Sequence, residues 1–322
     1  MKKALIIGIN NYPQAQLYGA INDAQCVGQL LKSNGDGSPN FDAKVETDVQ
    51  TKSDLKTMIN KFFQGSAEVA LLYFSGHGFL NEYGGIIVTP DYVRYDEGVS
   101  MDDILNISNQ ATKIRNKIII LDCCHSGTFG NPSKGGAITP ILEGTTILTA
   151  CRENEPAKEI NGRGVFTNLL LNALEGGAAD LRGHISPGGI YAYIDQALGA
   201  HEQRPVFKTN VVEFVSLRTS VPQVSLETIR KLTEYFPSPQ DHYPLNPSYE
   251  DTNNESVKHE IMPPYSNPEN VIVFKNLQKF QSVGLVVPVG EEHMFFAAMR
   301  SKACKLTSLG YHYWRLVQEG RI

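Results

Sequence analysis

The sequence lacks any apolar run long enough to cross a bilayer, because its hydrophobic stretches are short and separated by polar residues. The beginning, Met1-Lys2-Lys3 followed by ALIIGI, briefly imitates a signal peptide. This apolar run ends at Asn10, which is too early for a signal-peptide core, and no small-residue cleavage pattern follows. The sequence therefore predicts neither a membrane span nor a secretory leader.

Cysteine is scarce, and neither sign of charge dominates. Five cysteines at irregular spacing in 322 residues indicate reduced thiols and a cytoplasmic protein rather than a disulfide framework. A formal net charge of -5 does not favour a nucleic-acid or anionic-membrane partner. With 41% hydrophobic and 20% charged residues, the composition is ordinary for a globular protein. The length of 322 residues is enough for one full domain and something small.

Short apolar runs alternate with helical patterns over the first two thirds of the chain. Buried strands are predicted at 4–9, 69–76, 117–124 and 145–150, with a last strand near 211–217. Helices are predicted at 21–33, 53–63, 101–109, 165–175 and 187–198, with Ser53 and Ser100 as N-caps of the second and third. This alternation predicts an α/β fold with a mostly parallel central sheet flanked by helices. Functional residues are then expected just beyond the carboxyl ends of strands.

The composition changes near residue 219. Eight of the 17 prolines fall in 219–269, which is also rich in Ser, Asn, Asp and Glu and which we interpret as a linker with one short helix near 225–235. Apolar periodicity returns in 270–322. The predicted organisation is a large N-terminal domain (1–218), a Pro-rich linker (219–269) and a small accessory module (270–322).

A histidine and a cysteine follow two of the predicted strands. His77 lies between two glycines in LLYFSGHGF, and Cys124 lies in IIILDCCHSG. An imidazole near a thiol raises the thiolate fraction and can later protonate a leaving amine. Two strand ends of one sheet can bring these side chains together, although they are 47 positions apart. The pair predicts nucleophilic catalysis.

Two other interpretations compete with this one. A cysteine at a strand end is usually a core residue, which is our expectation for Cys123 and Cys151. Zinc binding by Cys123, Cys124 and His125 is disfavoured, because adjacent residues of a strand point alternately and no second ligand pair has workable spacing.

The first 218 residues resemble the caspase family, and metacaspases and their bacterial relatives more than animal caspases. The resemblance rests on IIGINNY near the start, INDA at 21–24, YFSGHG at 73–78, TPDY at 89–92, DCCHSG at 122–127 and GVFTNLLLNAL at 164–174. The Q-A-C-x-G motif of animal caspases is absent. The resemblance implies a cysteine endopeptidase with His77 and Cys124 as the dyad. The N–H groups of Gly78 and Cys124 would stabilise the oxyanion.

The same resemblance implies cleavage after Arg or Lys, with Asp23 and Asp122 as the acidic residues of the specificity pocket. On an alternating strand Asp122 faces the same side as Cys124, and two carboxylates suit a guanidinium. The alternative for Asp23 is a capping or solvent-facing role on its helix.

Metacaspases also resemble one another in a calcium site of four aspartates. Three counterparts here are Asp91, Asp102 and Asp103, but the fourth position is Asn131, which removes one negative charge. Asp102 and Asp103 are equally well explained as first-turn acids of a helix. The sequence therefore requires no cofactor and leaves calcium binding open.

The Gly/Pro/Ser-rich region 128–144 resembles the processing loop of such enzymes. We predict self-cleavage after Lys134, with Arg152, Lys158 and Arg163 as other candidates. Incidental cutting of an exposed loop by other proteases is an equally weighted alternative.

The last 53 residues carry seven Lys or Arg and three Asp or Glu. They resemble a small winged-helix module, and we favour recognition or packing of a protein partner over DNA contact. A caspase-like peptidase with such a module resembles proteases of prokaryotic stress or antiviral defence. The rival functions are an inactive caspase-like scaffold and a winged-helix nucleic-acid-binding protein with an ancillary peptidase domain.

Overall fold

The structure is a computed structural model that describes residues 1–81, 84–124, 140–151, 159–160, 162–199, 203–252, 257–260 and 266–322. The chain forms two compact units, Met1–Val221 and Pro222–Ile322. No helix in the described ranges is both long and apolar enough to cross a membrane.

The first unit contains thirteen strands and five helices among its described residues. In chain order its strands are β1 (Lys2–Gly8), β2 (Phe41–Thr47), β3 (Ala67–Ser75), β4 (Gly78–Asn81), β5 (Gly84–Val93), β6 (Asp96–Ser100), β7 (Ile114–Asp122), β8 (Thr145–Thr149), β9 (Glu159–Ile160), β10 (Arg163–Gly164), β11 (His184–Ile185), β12 (Val206–Asn210) and β13 (Arg218–Thr219). Its helices are α1 (Ala20–Leu31), α2 (Lys52–Phe63), α3 (Met101–Gln110), α4 (Val165–Asn172), which continues into a π-type turn at Ala173–Gly177, and α5 (Pro187–Ala197).

Six strands form the central sheet in the order β12-β8-β7-β3-β1-β2. All neighbours are parallel except β12, which runs antiparallel to β8 at one edge. This confirms the predicted α/β class with a mostly parallel sheet. Most residues of the inner strands β1, β3, β7 and β8 are buried because both faces of the sheet are covered there. The edge strands β2 and β12 carry charged or polar residues and are largely not buried.

Successive residues of the central strands enter two separate cores. Tyr73 of β3 lies in the core under α1, α4 and α5, whereas the next residue, Phe74, lies in the core under α2 and α3. The same alternation separates Ile6 from Ile7 on β1. This period of two determines which side chains can meet above each face of the sheet.

Most predicted elements of the first unit lie within about three residues of their observed bounds. Ser100 caps α3 as predicted, since its hydroxyl accepts from the N–H of Asp103 at 3.0 Å. Thr51, and not Ser53, caps α2. The last strand of the central sheet is β12 (Val206–Asn210) and not the predicted 211–217, where Val212 is 88% exposed and no strand forms. The sequence also gave no sign of the three-stranded antiparallel sheet β4-β5-β6.

The second unit begins well before the predicted module. Its elements are α6 (Leu226–Arg230), α7 (Leu232–Tyr235), β14 (His242–Pro244), a 3-10 turn at Pro247–Tyr249, α8 (Pro268–Ser282), β15 (Val286–Pro288), α9 (Met294–Met299), β16 (Ala303–Leu306) and α10 (Ser308–Gln318). Its three strands form an antiparallel sheet in the order β14-β16-β15. The winged-helix interpretation of its C-terminal part stays a prediction.

The structure therefore corrects the prediction that 219–269 is a linker. Its part from 222 to 252 is folded into the second unit, and Leu232 and Phe236 are fully buried there. Trp314 of α10 donates its indole N–H to the carbonyl oxygen of Phe236 at 2.6 Å. The prolines misled the prediction because some of them begin helical turns, as Pro268 does at the start of α8.

Candidate active site

The carboxyl ends of β3 and β7 are adjacent, and they bring the two predicted catalytic residues to one edge of the sheet. Ser75 pairs in register with Asp122, so His77 and Cys124 each follow this pair by two residues. The N–H of Gly76 donates to the carbonyl oxygen of Asp122 at 3.3 Å, which keeps the two chains together beyond the paired strands.

Gly78 is packed against the backbone of the predicted nucleophile. A Cβ built on Gly78 would overlap the carbonyl oxygen of Cys124 and would lie 3.1 Å from the sulfur of Cys123. Glycine permits this approach because it has no side chain. The backbone next to His77 and the backbone of Cys124 are thus in direct contact.

The imidazole of His77 is held from the loop that follows β1. Its Nε2 lies 2.6 Å from the carbonyl oxygen of Ala15. The ring of Tyr12 packs edge-on against the imidazole, with 4.6 Å between ring centroids. A carbonyl oxygen only accepts hydrogen bonds, so this contact places a proton on Nε2 and leaves Nδ1 as the basic nitrogen of the neutral ring.

Tyr12 also fixes the backbone of His77. Its hydroxyl accepts the N–H of His77 at 3.1 Å and lies 3.3 Å from the carbonyl oxygen of Val88, to which it donates. Burial raises the pKa of the Tyr12 phenol, so the hydroxyl keeps the proton that it donates. Sequence reasoning missed both Ala15, whose contribution is a main-chain carbonyl, and Tyr12, which stood in the IIGINNY motif without an assigned role.

The two thiols at the end of β7 differ in environment. Cys124 is partly exposed, whereas Cys123 is fully buried in the core under α2 and α3. Burial, followed by the nearby Cys151, raises the pKa of the Cys123 thiol well above its usual value. Cys151 is also buried, and its Sγ lies 3.2 Å from the carbonyl oxygen of Cys123. The expectation that Cys123 and Cys151 are core residues is confirmed.

The two predicted specificity residues converge on Gly164, the residue that precedes α4. Gly164 donates its N–H to Oδ2 of Asp23 at 2.8 Å. A Cβ on Gly164 would overlap Oδ2 of Asp122 and lie 3.1 Å from Oδ2 of Asp23. The two carboxylates, from residues 99 positions apart in the sequence, therefore both lie against one glycine.

Both carboxylates are inside the first unit. Asp23 is 1% exposed and Asp122 is 5% exposed, so the alternative of a solvent-facing Asp23 is wrong. Asp122 accepts two hydrogen bonds at Oδ2 from Thr167, from its N–H at 3.3 Å and from its hydroxyl at 2.6 Å. Buried charges need such partners, because removal from water strongly penalises an unpaired carboxylate. Sequence reasoning also missed Thr167, which the motif GVFTNLL contained.

Two of the three aspartates proposed for calcium, Asp91 and Asp103, make other contacts in the described structure. Asp91 accepts from the N–H of Lys52 at the start of α2, at 3.1 and 3.2 Å. Asp103 forms an ion pair of 2.8 Å with Lys56. Burial raises the pKa of the Asp102 carboxyl, and the charge of Asp103 adds to this effect.

In the described ranges, no three His, Cys, Asp or Glu side chains are grouped so that they could hold a metal ion. Asp91, Asp102 and Asp103 as placed therefore do not fit a calcium site by themselves, and a lysine ammonium competes with a cation at Asp103. The fourth position, Asn131, lies outside the described residues.

The predicted self-cleavage residue Lys134 also lies outside the described residues, as do the other candidates Arg152 and Lys158. Arg163 is described within β10, and its guanidinium nitrogen lies 3.5 Å from the sulfur of Cys26.

Comparison with known proteins identifies the family of this chain. The sequence model of the family described as "Caspase domain" matches residues 1–231. A search of curated proteins finds no match. Among solved structures, a protein of Geobacter sulfurreducens has 17% identity and a TM-score of 0.49, covering 69% of this chain and 98% of that one. Caspase-1 from Spodoptera frugiperda has 13% identity and a TM-score of 0.49, covering 68% of this chain and 90% of that one.

The family assignment rests on the match of the sequence model, which spans more than two thirds of the chain and includes both strand ends of the site. This chain belongs to the caspase-domain family of cysteine peptidases.

Proposed function

We propose that this protein is a cysteine endopeptidase in which Cys124 attacks the peptide carbonyl and His77 transfers the protons. The observation that supports this most directly is the register of β3 and β7, which places both residues two positions beyond the paired Ser75 and Asp122. The contact of Gly78 with the Cys124 backbone supports the same arrangement.

The hydrogen bond from His77 to Ala15 determines the direction of proton transfer. With Nε2 protonated, Nδ1 takes the thiol proton as the sulfur forms a bond to the substrate carbonyl carbon. When the tetrahedral intermediate collapses, the C–N bond breaks and the departing amine takes this proton from Nδ1. A water molecule then attacks the thioester carbonyl carbon and gives a proton to Nδ1. The C–S bond breaks, the sulfur takes this proton from Nδ1, and the free acid leaves.

The negative oxygen of the tetrahedral intermediate needs hydrogen-bond donors. We propose the N–H groups of Gly78 and Cys124, which belong to backbone segments in direct contact. Removal of one such donor typically raises the activation barrier by about 3–4 kcal/mol.

We further propose that the enzyme cuts after Arg or Lys and that Asp23 and Asp122 provide the negative charge. Their convergence on Gly164 next to the nucleophile strand supports this specificity, because a guanidinium can bind two carboxylates in a charge-assisted manner. An acidic substrate side chain would be repelled at the same place.

The test is cleavage of a peptide panel that differs only in the residue before the scissile bond. Wild-type protein should cut the Arg and Lys peptides, whereas Cys124→Ala should be inactive and His77→Ala should lose at least about a hundredfold. Cys26→Ala, which removes another partly exposed thiol, is the matched control and should retain activity.

Preference for Asp peptides would contradict the basic specificity. Absence of any cleavage, together with no labelling of Cys124 by an arginine-directed chloromethylketone, would favour the inactive-scaffold alternative.

Calcium dependence and self-processing stay predictions. Adding calcium or a chelator during the peptide assay tests calcium dependence, and Asp91→Asn, which removes a charge without touching the dyad, is its control.

For self-processing, wild-type fragments that begin after Lys134 should be absent from Cys124→Ala protein. Identical fragment patterns would point to other proteases.

Recognition of a protein partner through 270–322 is also a proposal. Leu309 and Tyr311 of α10 are 43% and 46% exposed, which leaves apolar surface on the last helix for such a contact.

The DNA-binding alternative predicts strongly salt-dependent binding in a titration with duplex DNA, and lack of binding would exclude it.

A further inference from the structure

We propose that Thr167 is a positioning residue that sets the orientation of Asp122 towards the basic side chain of the substrate, and that Tyr73 in turn holds Thr167. This inference rests on the proposed function, because it concerns how the specificity pocket is built.

The three residues meet above the sheet face that is covered by α1, α4 and α5. Tyr73 of β3 and Phe166 of α4 belong to the core on this face, and Thr167 is fully buried next to them. The hydroxyl of Tyr73 lies 2.6 Å from Oγ1 of Thr167, and Oγ1 of Thr167 lies 2.6 Å from Oδ2 of Asp122. The three polar groups therefore form a short chain inside the protein.

The number of protons gives this chain one direction. A threonine hydroxyl has a single hydrogen, and an ionised carboxylate can only accept, so Thr167 donates its hydrogen to Asp122. The Tyr73 hydroxyl must then donate to Oγ1 of Thr167. Burial, followed by the charges of Asp122 and Asp23, raises the pKa of the Tyr73 phenol well above its usual value, so this donor keeps its proton.

Thr167 contacts Oδ2 of Asp122 twice, through its N–H and through its hydroxyl. Two donors from one residue fix one carboxylate oxygen, and this restricts rotation of the carboxylate plane. A guanidinium fork requires a particular orientation of that plane, whereas a lysine ammonium acts more like a point charge. Loss of the Thr167 hydroxyl should therefore weaken Arg recognition more than Lys recognition.

The central test compares Thr167→Val with Thr167→Ser. Valine removes the hydroxyl and approximately keeps the shape, whereas serine keeps the hydroxyl. We expect Thr167→Val to raise KM for an Arg peptide about tenfold, as for a lost hydrogen bond to a charged group, with kcat little changed. The inhibition constant of benzamidine, an amidinium probe, should rise by a similar factor in Thr167→Val. In Thr167→Ser, both KM and this inhibition constant should stay close to the wild-type values.

Thr146→Val is the matched control. Thr146 is also a buried threonine, 1% exposed, and its hydroxyl bonds that of Thr209 at 2.9 Å near the opposite end of the sheet. A general loss of packing or stability would affect both valine variants alike. The rate of Cys124 alkylation by iodoacetamide should be the same in wild type and in all variants, because the dyad is unchanged.

Tyr73→Phe provides a second variant should Thr167→Val fail to fold. It should raise KM for the Arg peptide in the same direction by a smaller factor. The inference is overturned if Thr167→Val or Tyr73→Phe behaves like Thr146→Val, or if kcat falls while KM and benzamidine binding stay at wild-type values. Failure of the wild-type protein to cut any basic peptide would instead overturn the proposed function. The activity of the wild type therefore distinguishes failure of the proposed function from failure of the inference about Thr167.

Discussion

The five cysteine thiols differ in how far their local environment leaves them accessible. Cys123, Cys151 and Cys304 are fully buried, while Cys26 and Cys124 are partly exposed. Because the thiolate is the reactive form, burial suppresses reaction both by excluding reagent and by stabilising the neutral thiol. For Cys304, burial raises the pKa of the thiol to about 12.

These environments predict a specific pattern of thiol modification. Iodoacetamide at pH 8 should alkylate Cys124 in the folded protein, with Cys26 as the other accessible thiol, and should leave Cys123 and Cys304 unmodified. Mass spectrometry of tryptic peptides measures the extent at each position. In denaturant all five should react, which controls for peptide detection. If Cys123 is alkylated as fast as Cys124 in the folded protein, the description of Cys123 as a buried and unreactive thiol is wrong.

At this scale the alternation of strand residues was a sound guide. It predicted that Asp122 and Cys123 face different sides, and the structure places Cys123 under α2 and α3 while Asp122 contacts Thr167 of α4. The carbonyl of Ala15 could not be predicted in this way, because every residue carries a carbonyl and only the path of the loop brings this one to His77.

At the scale of elements, the junction of β3, β4 and β7 depends on Gly78. We expect Gly78→Ala to lower kcat at least about a hundredfold, because the new Cβ would displace the Cys124 carbonyl and disturb the proposed oxyanion donors. Gly164→Ala is the comparison variant. Its Cβ would overlap Asp122 instead, so it should mainly raise KM for basic peptides. Equal effects of both variants on kcat and KM would show that the glycines do not serve separate parts of the site.

In the second unit, an ion-pair cluster links the segment after β15 to the residues between α9 and β16. Glu291 contacts Arg300 at 2.8 Å and Lys302 at 2.5 Å. The hydrogen bonds from Lys302 and then from Arg300 lower the pKa of the Glu291 carboxyl below its usual 4.5. A carboxyl with a lowered folded-state pKa contributes stability above the unfolded value and loses it as the pH falls through the folded value.

Glu291→Gln should therefore lower the free energy of unfolding at pH 7, and its difference from wild type should shrink as the pH falls below about 4.5. Trp314 is the only tryptophan of the chain and lies in the second unit, so its fluorescence reports unfolding there. A difference from wild type that stays constant between pH 7 and pH 3 would contradict an electrostatic contribution.

At the scale of the whole molecule, the boundary between the units determines which fragments can fold. Residues 222–322 contain all three strands of the β14-β16-β15 sheet and the buried Phe236. This fragment should show a cooperative thermal transition by circular dichroism, with the Trp314 fluorescence changing at the same temperature. The fragment 270–322 lacks α6, α7 and β14, and it should show no such transition. Cooperative folding of the fragment 270–322 would instead support the domain boundary at residue 270 that was predicted from the sequence.

The local sequence determined the apolar strands, most of the helices and the positions of His77 and Cys124 after strand ends, because hydrophobic periodicity and caps act over a few neighbouring residues. Resemblance to a known family suggested Asp23 and Asp122. Only the tertiary structure brought those carboxylates to Gly164, joined Tyr73 and Thr167 to Asp122, and placed the Ala15 carbonyl on His77. It also assigned the proline-rich segment from residue 222 to a folded unit. These contacts join residues that are distant along the chain, and their positions depend on how whole elements pack rather than on any local pattern.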